Sequence, residues 1–161
     1  MARKDMLLKI VDNDPYLYQN ERQPCGDTPQ WLELSQLGSI AYIDESLSTY
    51  NLHEVSATQN TDEKKILETS ILMKEQMLYL IDKYKFSVQE KARHTRDLWR
   101  RRLKLAFYES NQSTAEEAKK SLGSLSPVEW LQYWGAKDVR LNRLFKPILN
   151  ITRRDLIPTE K

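Results

Sequence analysis

Between Thr61 and Tyr108 apolar residues recur at helical spacing with no glycine or proline to interrupt them. At about 100° per residue, Ile66, Leu67, Ile71, Met73, Met77, Leu78, Leu80, Ile81 and Tyr84 spread over about half of a helix circumference. An unbroken helix over this stretch would be about 70 Å long. Asp62 and Glu63 stand at its start, where the helix dipole favours negative charge. A heptad frame runs through Leu67, Ile71, Leu78, Ile81, Val88, Ala92, Trp99 and Ala106, but it also puts Lys74, Lys85, Thr95 and Arg102 at core positions. Those interruptions favour packing in a bundle over a simple coiled coil. Ser87-Val88-Gln89-Glu90 has the form of a capping box, which would start a new helix and make the stretch an αα-hairpin. The joint lacks Gly, Pro and Asn, so the spacing predicts one continuous helix ahead of the hairpin.

The flanking segments are shorter and less regular. Residues 2–11 fit a short helix carrying Met6, Leu7, Ile10 and Val11, ended by Asp14-Pro15. From Tyr16 to Asp27 the chain is polar, with scattered anchors. Thr28 as cap and Pro29 at the first helical position predict a helix Pro29–Leu37, stopped by Gly38. Ile40, Ile43, Leu47 and Tyr50 fit one face of a short helix, while Ile40-Ala41-Tyr42-Ile43 also fits a strand or an extended docked segment. Residues 51–60 show neither period and read as a loop, or as a segment draped over another surface. Beyond the long element, Thr114 and Glu117 suggest a capping box opening a helix Ala115–Leu122, closed by Gly123. Ser126-Pro127-Val128-Glu129 is the strongest start signal in the chain. The helix after it carries Trp130, Leu131, Tyr133 and Trp134, and Gly135 would stop or kink it. Helical spacing resumes through Val139, Leu141, Leu144 and Phe145 until Pro147, and Asn150 to Lys161 reads as a polar tail.

These elements define an all-α fold. One long central amphipathic helix, or an αα-hairpin made from it, carries a short C-terminal helical cluster on its apolar arc. The N-terminal third is partly irregular. The natural division is residues 1–60 as an irregular segment with short helices and residues 61–161 as a helical domain. Only four glycines in 161 residues suit helices and argue mildly against a loop-rich enzyme.

Charge refines this picture. The formal net charge is only +2, so any affinity for nucleic acid must come from uneven distribution. Arg93, Arg96, Arg100, Arg101 and Lys104 project to one side, away from Val88, Ala92, Trp99, Leu103 and Ala106. Such a stripe could neutralise consecutive phosphates, or meet carboxylates of a protein partner. The bland reading is a solvated face whose arginines pair with Glu90, Asp97, Glu116 or Glu117. The two helices around Gly123 have helix-turn-helix proportions, yet VEWLQYWG offers only Gln132 to read a base edge. Trp130 and Trp134, four residues apart, read instead as core or interface anchors, as does Trp31 nearer the N-terminus.

Catalytic patterns are missing. There is no H-E-x-x-H, P-loop, G-x-S-x-G or Gly-rich dinucleotide turn. His53 and His94 are the only histidines and read as surface residues; the single Cys25 has no neighbouring histidine to activate it. No metal site and no cofactor are expected. One cysteine excludes an internal disulfide and fits a reducing compartment, and no apolar run of transmembrane length occurs. The expectation is an intracellular, soluble protein, although a virion or organelle interior would look the same. Its expected role is a non-catalytic interaction subunit of a larger protein or nucleoprotein assembly. It would dock through the N-terminal segment and the Trp130/Trp134 helix, with other protein subunits as partners, no membrane, and homo-oligomerisation open. The alternative is nucleic-acid binding through the 93–104 face.

Overall fold

The computed structural model describes residues 3–20, 22, 27–45 and 62–154. Among them eight helices follow one another: α1 (Lys4–Asn13), α2 (Pro15–Tyr18), α3 (Asp27–Leu37), α4 (Glu63–Lys83), α5 (Val88–Glu109), α6 (Gln112–Leu122), α7 (Pro127–Lys137) and α8 (Val139–Arg154). The described residues contain no strand. The all-α reading holds, with a partly irregular N-terminal third. The chain divides into two compact units, Met1–Ser87 and Val88–Lys161.

The long stretch is two helices, not one. The helix α4 ends in a Schellman motif, with Lys85 in the left-handed region at φ 53°. Phe86 N–H donates to the Ile81 carbonyl at 3.0 Å and Lys85 N–H to Asp82 at 3.4 Å, closing the last turn. Glycine or asparagine normally marks such a stop, so a lysine there hides the break from the sequence. The next helix, α5, begins directly after Ser87, where the Ser-x-x-Glu pattern allows it. Its own end repeats the device. Ser110 has φ 52° and Asn111 N–H reaches the Ala106 carbonyl at 2.9 Å.

Asn111 also starts α6, its side-chain oxygen accepting from Thr114 N–H at 3.1 Å. This corrects the sequence reading: the cap is Asn111, and Thr114 lies inside the helix. Three other boundaries move. The Asp14-Pro15 pair that ends α1 also starts α2, Asp14 Oδ1 accepting from Leu17 N–H at 3.2 Å. The third helix begins at Asp27, placing Thr28 within it. Finally, α8 runs through Pro147 to Arg154. The capping box at α7 is as the sequence suggests, with Glu129 Oε2 accepting from Ser126 N–H at 2.7 Å. Residues 39–45 form no helix or strand, and Ile40, Tyr42 and Ile43 are exposed. The readings made for residues 46–61, and for Cys25 and His53, lie outside the described residues.

In Met1–Ser87 the buried apolar residues include Ile10, Leu17, Leu34, Leu67, Ile71, Leu80 and Ile81. In Val88–Lys161 the core joins Leu103, Ala106, Ala115, Ala118, Tyr133 and Ala136, edged by Trp99, Leu122 and Leu125. Small residues let α5, α6 and α7 approach closely. Gly135 does not stop α7, which runs on to Lys137. A Cβ there would stand 2.6 Å from Phe107 Cδ2, so glycine is what admits the Phe107 ring. The fold yields two stability predictions. Replacing Gly135 with Ala should cost about 1–3 kcal/mol through overpacking, read as a lower denaturant midpoint. Lys85→Gly should instead gain up to about 1 kcal/mol by relieving the left-handed Cβ contact, read as a higher melting temperature.

Candidate functional site

The densest chemistry in Met1–Ser87 is a cluster the sequence did not single out. Asp14 and Glu33 are both only 3% exposed, an unusual depth for carboxylates. Asp14 sits at the α1–α2 junction and Glu33 on the buried side of α3, with Pro29 and Leu34. From α4, Lys83 Nζ reaches both, at 2.6 Å from Asp14 Oδ2 and in a short contact with Glu33 Oε1. Three tyrosines complete the set. Tyr79 donates to Asp14 Oδ2 at 3.0 Å, Tyr84 to Glu33 Oε1 at 2.9 Å, and Tyr18 to Glu33 Oε2 at 2.9 Å. The Tyr16 ring packs on Tyr79 with centroids 4.4 Å apart. Beside this network a cleft of about 190 Å³ is lined by Lys9, Ile10, Asn13, Glu33, Leu37, Lys83 and Tyr84.

The electrostatics of this cluster favour holding protons over exchanging them. Partial burial would lower Lys83, but hydrogen bonds to Asp14 and Glu33 and their charges outweigh it and push the ammonium above its ordinary 10.5. Burial, reinforced by the carboxylates they donate to, raises Tyr18, Tyr79 and Tyr84 above 10.0. Every one of these donors therefore keeps its proton at neutral pH. A general acid or base works best with a pKa near the operating pH, and these groups move away from it. Among the described residues no buried side-chain nitrogen or oxygen lacks a partner.

In Val88–Lys161 the structure places the predicted basic residues unevenly. Arg93 pairs with Glu90 at 2.6 Å, and Arg100 Nε with Glu129 Oε1 at 2.7 Å. Arg100 thereby ties α5 to the first turn of α7. Burial opposes ionisation of Glu129, but hydrogen bonds from Ser126 and the Arg100 charge outweigh it and hold the carboxyl below its ordinary 4.5. Lys104 is half-buried and has a partner of its own. Arg96 is exposed and Arg101 half-buried. The stripe is thus partly neutralised within the chain, as the solvated-face reading supposed for Glu90, but through Glu129 where Glu116 was named. Glu116 turns instead to Lys137 and Tyr133, at 2.5 and 2.8 Å. His94 is more enclosed than expected, its side chain only 15% exposed and its Nε2 3.7 Å from Glu90.

Three of the four tryptophans stand outside the cores, Trp99 being the one packed against the core of Val88–Lys161. Trp31 is 51% exposed on α3, and Trp130 and Trp134 are 38% and 47% exposed on α7. The latter two stack at 6.3 Å and 20° on the side of α7 turned from the bundle. Lys119 lies over Trp130 at 5.1 Å and Lys137 over Trp134 at 5.6 Å, placing cations on their faces. The two units also differ in charge. Val88–Lys161 has sixteen Lys and Arg against nine Asp and Glu, net +7; Met1–Ser87 has nine against fourteen, net −5. The whole-chain figure of +2 conceals that separation.

Among the described residues no group of three or more His, Cys, Asp or Glu is arranged to hold a metal ion, and no helix is long and apolar enough to cross a membrane. The chain matches no protein-family model, no curated protein and no solved structure.

The network makes its own prediction. Lys83→Met would leave two buried carboxylates side by side without a cation. Breaking a buried pair costs about 3 kcal/mol at the lower end, appropriate for a partly solvated ammonium. The deficit should appear as a lower urea midpoint at neutral pH. For the wild-type chain, Lys83 and the tyrosines bind protons more tightly folded than unfolded. Their stabilisation is complete below pH 10.0 and is lost as pH rises beyond it. The part of the tyrosinate absorbance that belongs to Tyr18, Tyr79 and Tyr84 should therefore appear together with unfolding.

Proposed function

We propose that the protein is a non-catalytic interaction subunit of a larger assembly, and that its basic unit Val88–Lys161 faces an acidic partner. The observation that carries this reading is the Trp130–Trp134 pair, stacked and half-exposed on a helix whose other side is already the bundle core. Indole rings are among the commonest centres of binding energy at interfaces, and an exposed pair framed by Lys119 and Lys137 suits a partner with apolar and acidic groups. The saturated Asp14–Glu33–Lys83 cluster supports a structural role for the one site that resembles catalytic machinery.

The second reading, nucleic-acid binding through the 93–104 face, draws on the net +7 of the same unit. Two of its five cations are committed to Glu90 and Glu129, which weakens it. Two measurements separate these readings. In extract from the native source, the chain should migrate in a complex, and Trp130→Ser with Trp134→Ser should release it to its free size. Migration as a free chain counts against the proposal. Fluorescence anisotropy with mixed DNA and RNA should show weak binding with a shallow salt dependence. A log–log slope of several units that falls in Arg96→Glu with Arg101→Glu would promote the nucleic-acid reading instead. Those two positions are chosen because changing Arg100 would also break its bond to Glu129.

A further inference from the structure

The last helix carries a surface that neither core uses. In α8 the apolar residues Leu141, Leu144, Phe145, Ile148 and Leu149 recur at i, i+3, i+4, i+7 and i+8, one face of a helix. Arg140, Arg143 and Lys146 fall on the remaining side, and no acidic residue occurs anywhere in Val139–Arg154. A helix that segregates its residues so cleanly ordinarily buries the apolar face. Yet no residue from Val139 to Leu149 is buried, and on the apolar face Leu144 and Ile148 are 60% and 46% exposed. What fastens α8 to the bundle includes a polar clasp: Asn142 Nδ2 donates to the carbonyls of Phe107, at 2.5 Å, and Gly135, at 3.2 Å. The clasp sits near the start of the helix and leaves Leu144 and Ile148 uncovered farther along.

We infer that α8 is a peripheral membrane-binding helix whose ligand is an anionic phospholipid surface. A nucleic acid would use Arg140, Arg143 and Lys146 but leave Leu144 and Ile148 in water. A neutral apolar groove would take the leucine and isoleucine and leave three cations without counter-charge. A bilayer with acidic headgroups satisfies both, because an amphipathic helix lies in the headgroup plane with its apolar side toward the acyl chains and its Lys and Arg among the phosphates. The net +7 of the unit that carries α8 adds long-range attraction to such a surface. Nothing here requires a spanning helix.

The test is co-sedimentation of the full chain with vesicles of phosphatidylcholine alone and with about one-third phosphatidylserine. Binding is expected on the mixed vesicles and at least about tenfold weaker on the neutral ones. Arg143→Glu with Lys146→Glu should abolish it, and Leu144→Ser with Ile148→Ser should weaken it about tenfold at unchanged charge. All four side chains are exposed, so circular dichroism melts of both variants should match the wild type. Equal binding to both vesicles, or none, overturns the inference. Binding that ignores the Leu144/Ile148 change is plain electrostatic adsorption and overturns it too, as does preference for DNA or RNA over the charged vesicles.

Discussion

The arrangement of Met1–Ser87 depends on one ammonium group. Lys83 lies between two carboxylates that come from separate parts of the chain, Asp14 at a helix junction and Glu33 on α3. Burying either carboxylate alone would cost several kcal/mol in lost hydration. Together they are tolerable because Lys83 neutralises part of their charge, while three tyrosine hydroxyls and the Leu17 N–H donate to their oxygens. The tyrosines contribute in two ways, since their rings cover the charges from water while their hydroxyls donate. Such a network specifies more than it stabilises. A shift of α4 by one residue would carry Tyr79, Lys83 and Tyr84 away from both acids at once, so the cluster fixes the register of α4 against α1–α3.

Val88–Lys161 is organised by steric fit. Alanines at 106, 115, 118 and 136 bring α5, α6 and α7 close, and Gly135 makes room for the Phe107 ring. Polar groups act at the edges: Arg100 with Glu129, and Glu116 with Tyr133 and Lys137. The pair Arg100–Glu129 shows why a basic stripe read from a helical wheel is a poor guide to free charge. Position on a wheel says which way a side chain leaves its own helix. It does not say whether the first turn of another helix, with its carboxylate, lies in the way.

That distinction also explains what was legible in the sequence. Most helices were legible because apolar spacing and start signals such as Ser126-Pro127-Val128-Glu129 act locally, within one turn, whereas the four-residue α2 reads as part of a polar segment. The break after Lys83 was not legible, because a Schellman turn depends on backbone conformation, and here Lys85 adopts what glycine usually supplies. Asn111 was missed for a related reason: Thr114 and Glu117 have the spacing of a capping box, but the preceding helix had already turned the chain so that Asn111 came first. The Asp14–Glu33–Lys83 cluster was illegible because its members stand nineteen and fifty residues apart, from Asp14 to Glu33 and from Glu33 to Lys83. One signal was nonetheless present. Glu33 shares the buried side of α3 with Pro29 and Leu34, and an acid on a buried face demands a partner.

The contrast between inside and outside bears on function. Inside, among the described residues, the buried polar side chains are satisfied by the chain itself, and the groups of the cluster with raised pKa values hold their protons tightly. Outside, the reverse holds. The Trp130–Trp134 stack and the apolar side of α8 have hydrophobic surface in water, and both lie in the half of the chain whose charge is strongly positive. Lys119 and Lys137 lie over the indoles, and Lys137 is also held by Glu116 and Tyr133. On the proposed reading, the partners that suit this half of the molecule combine negative charge with something apolar.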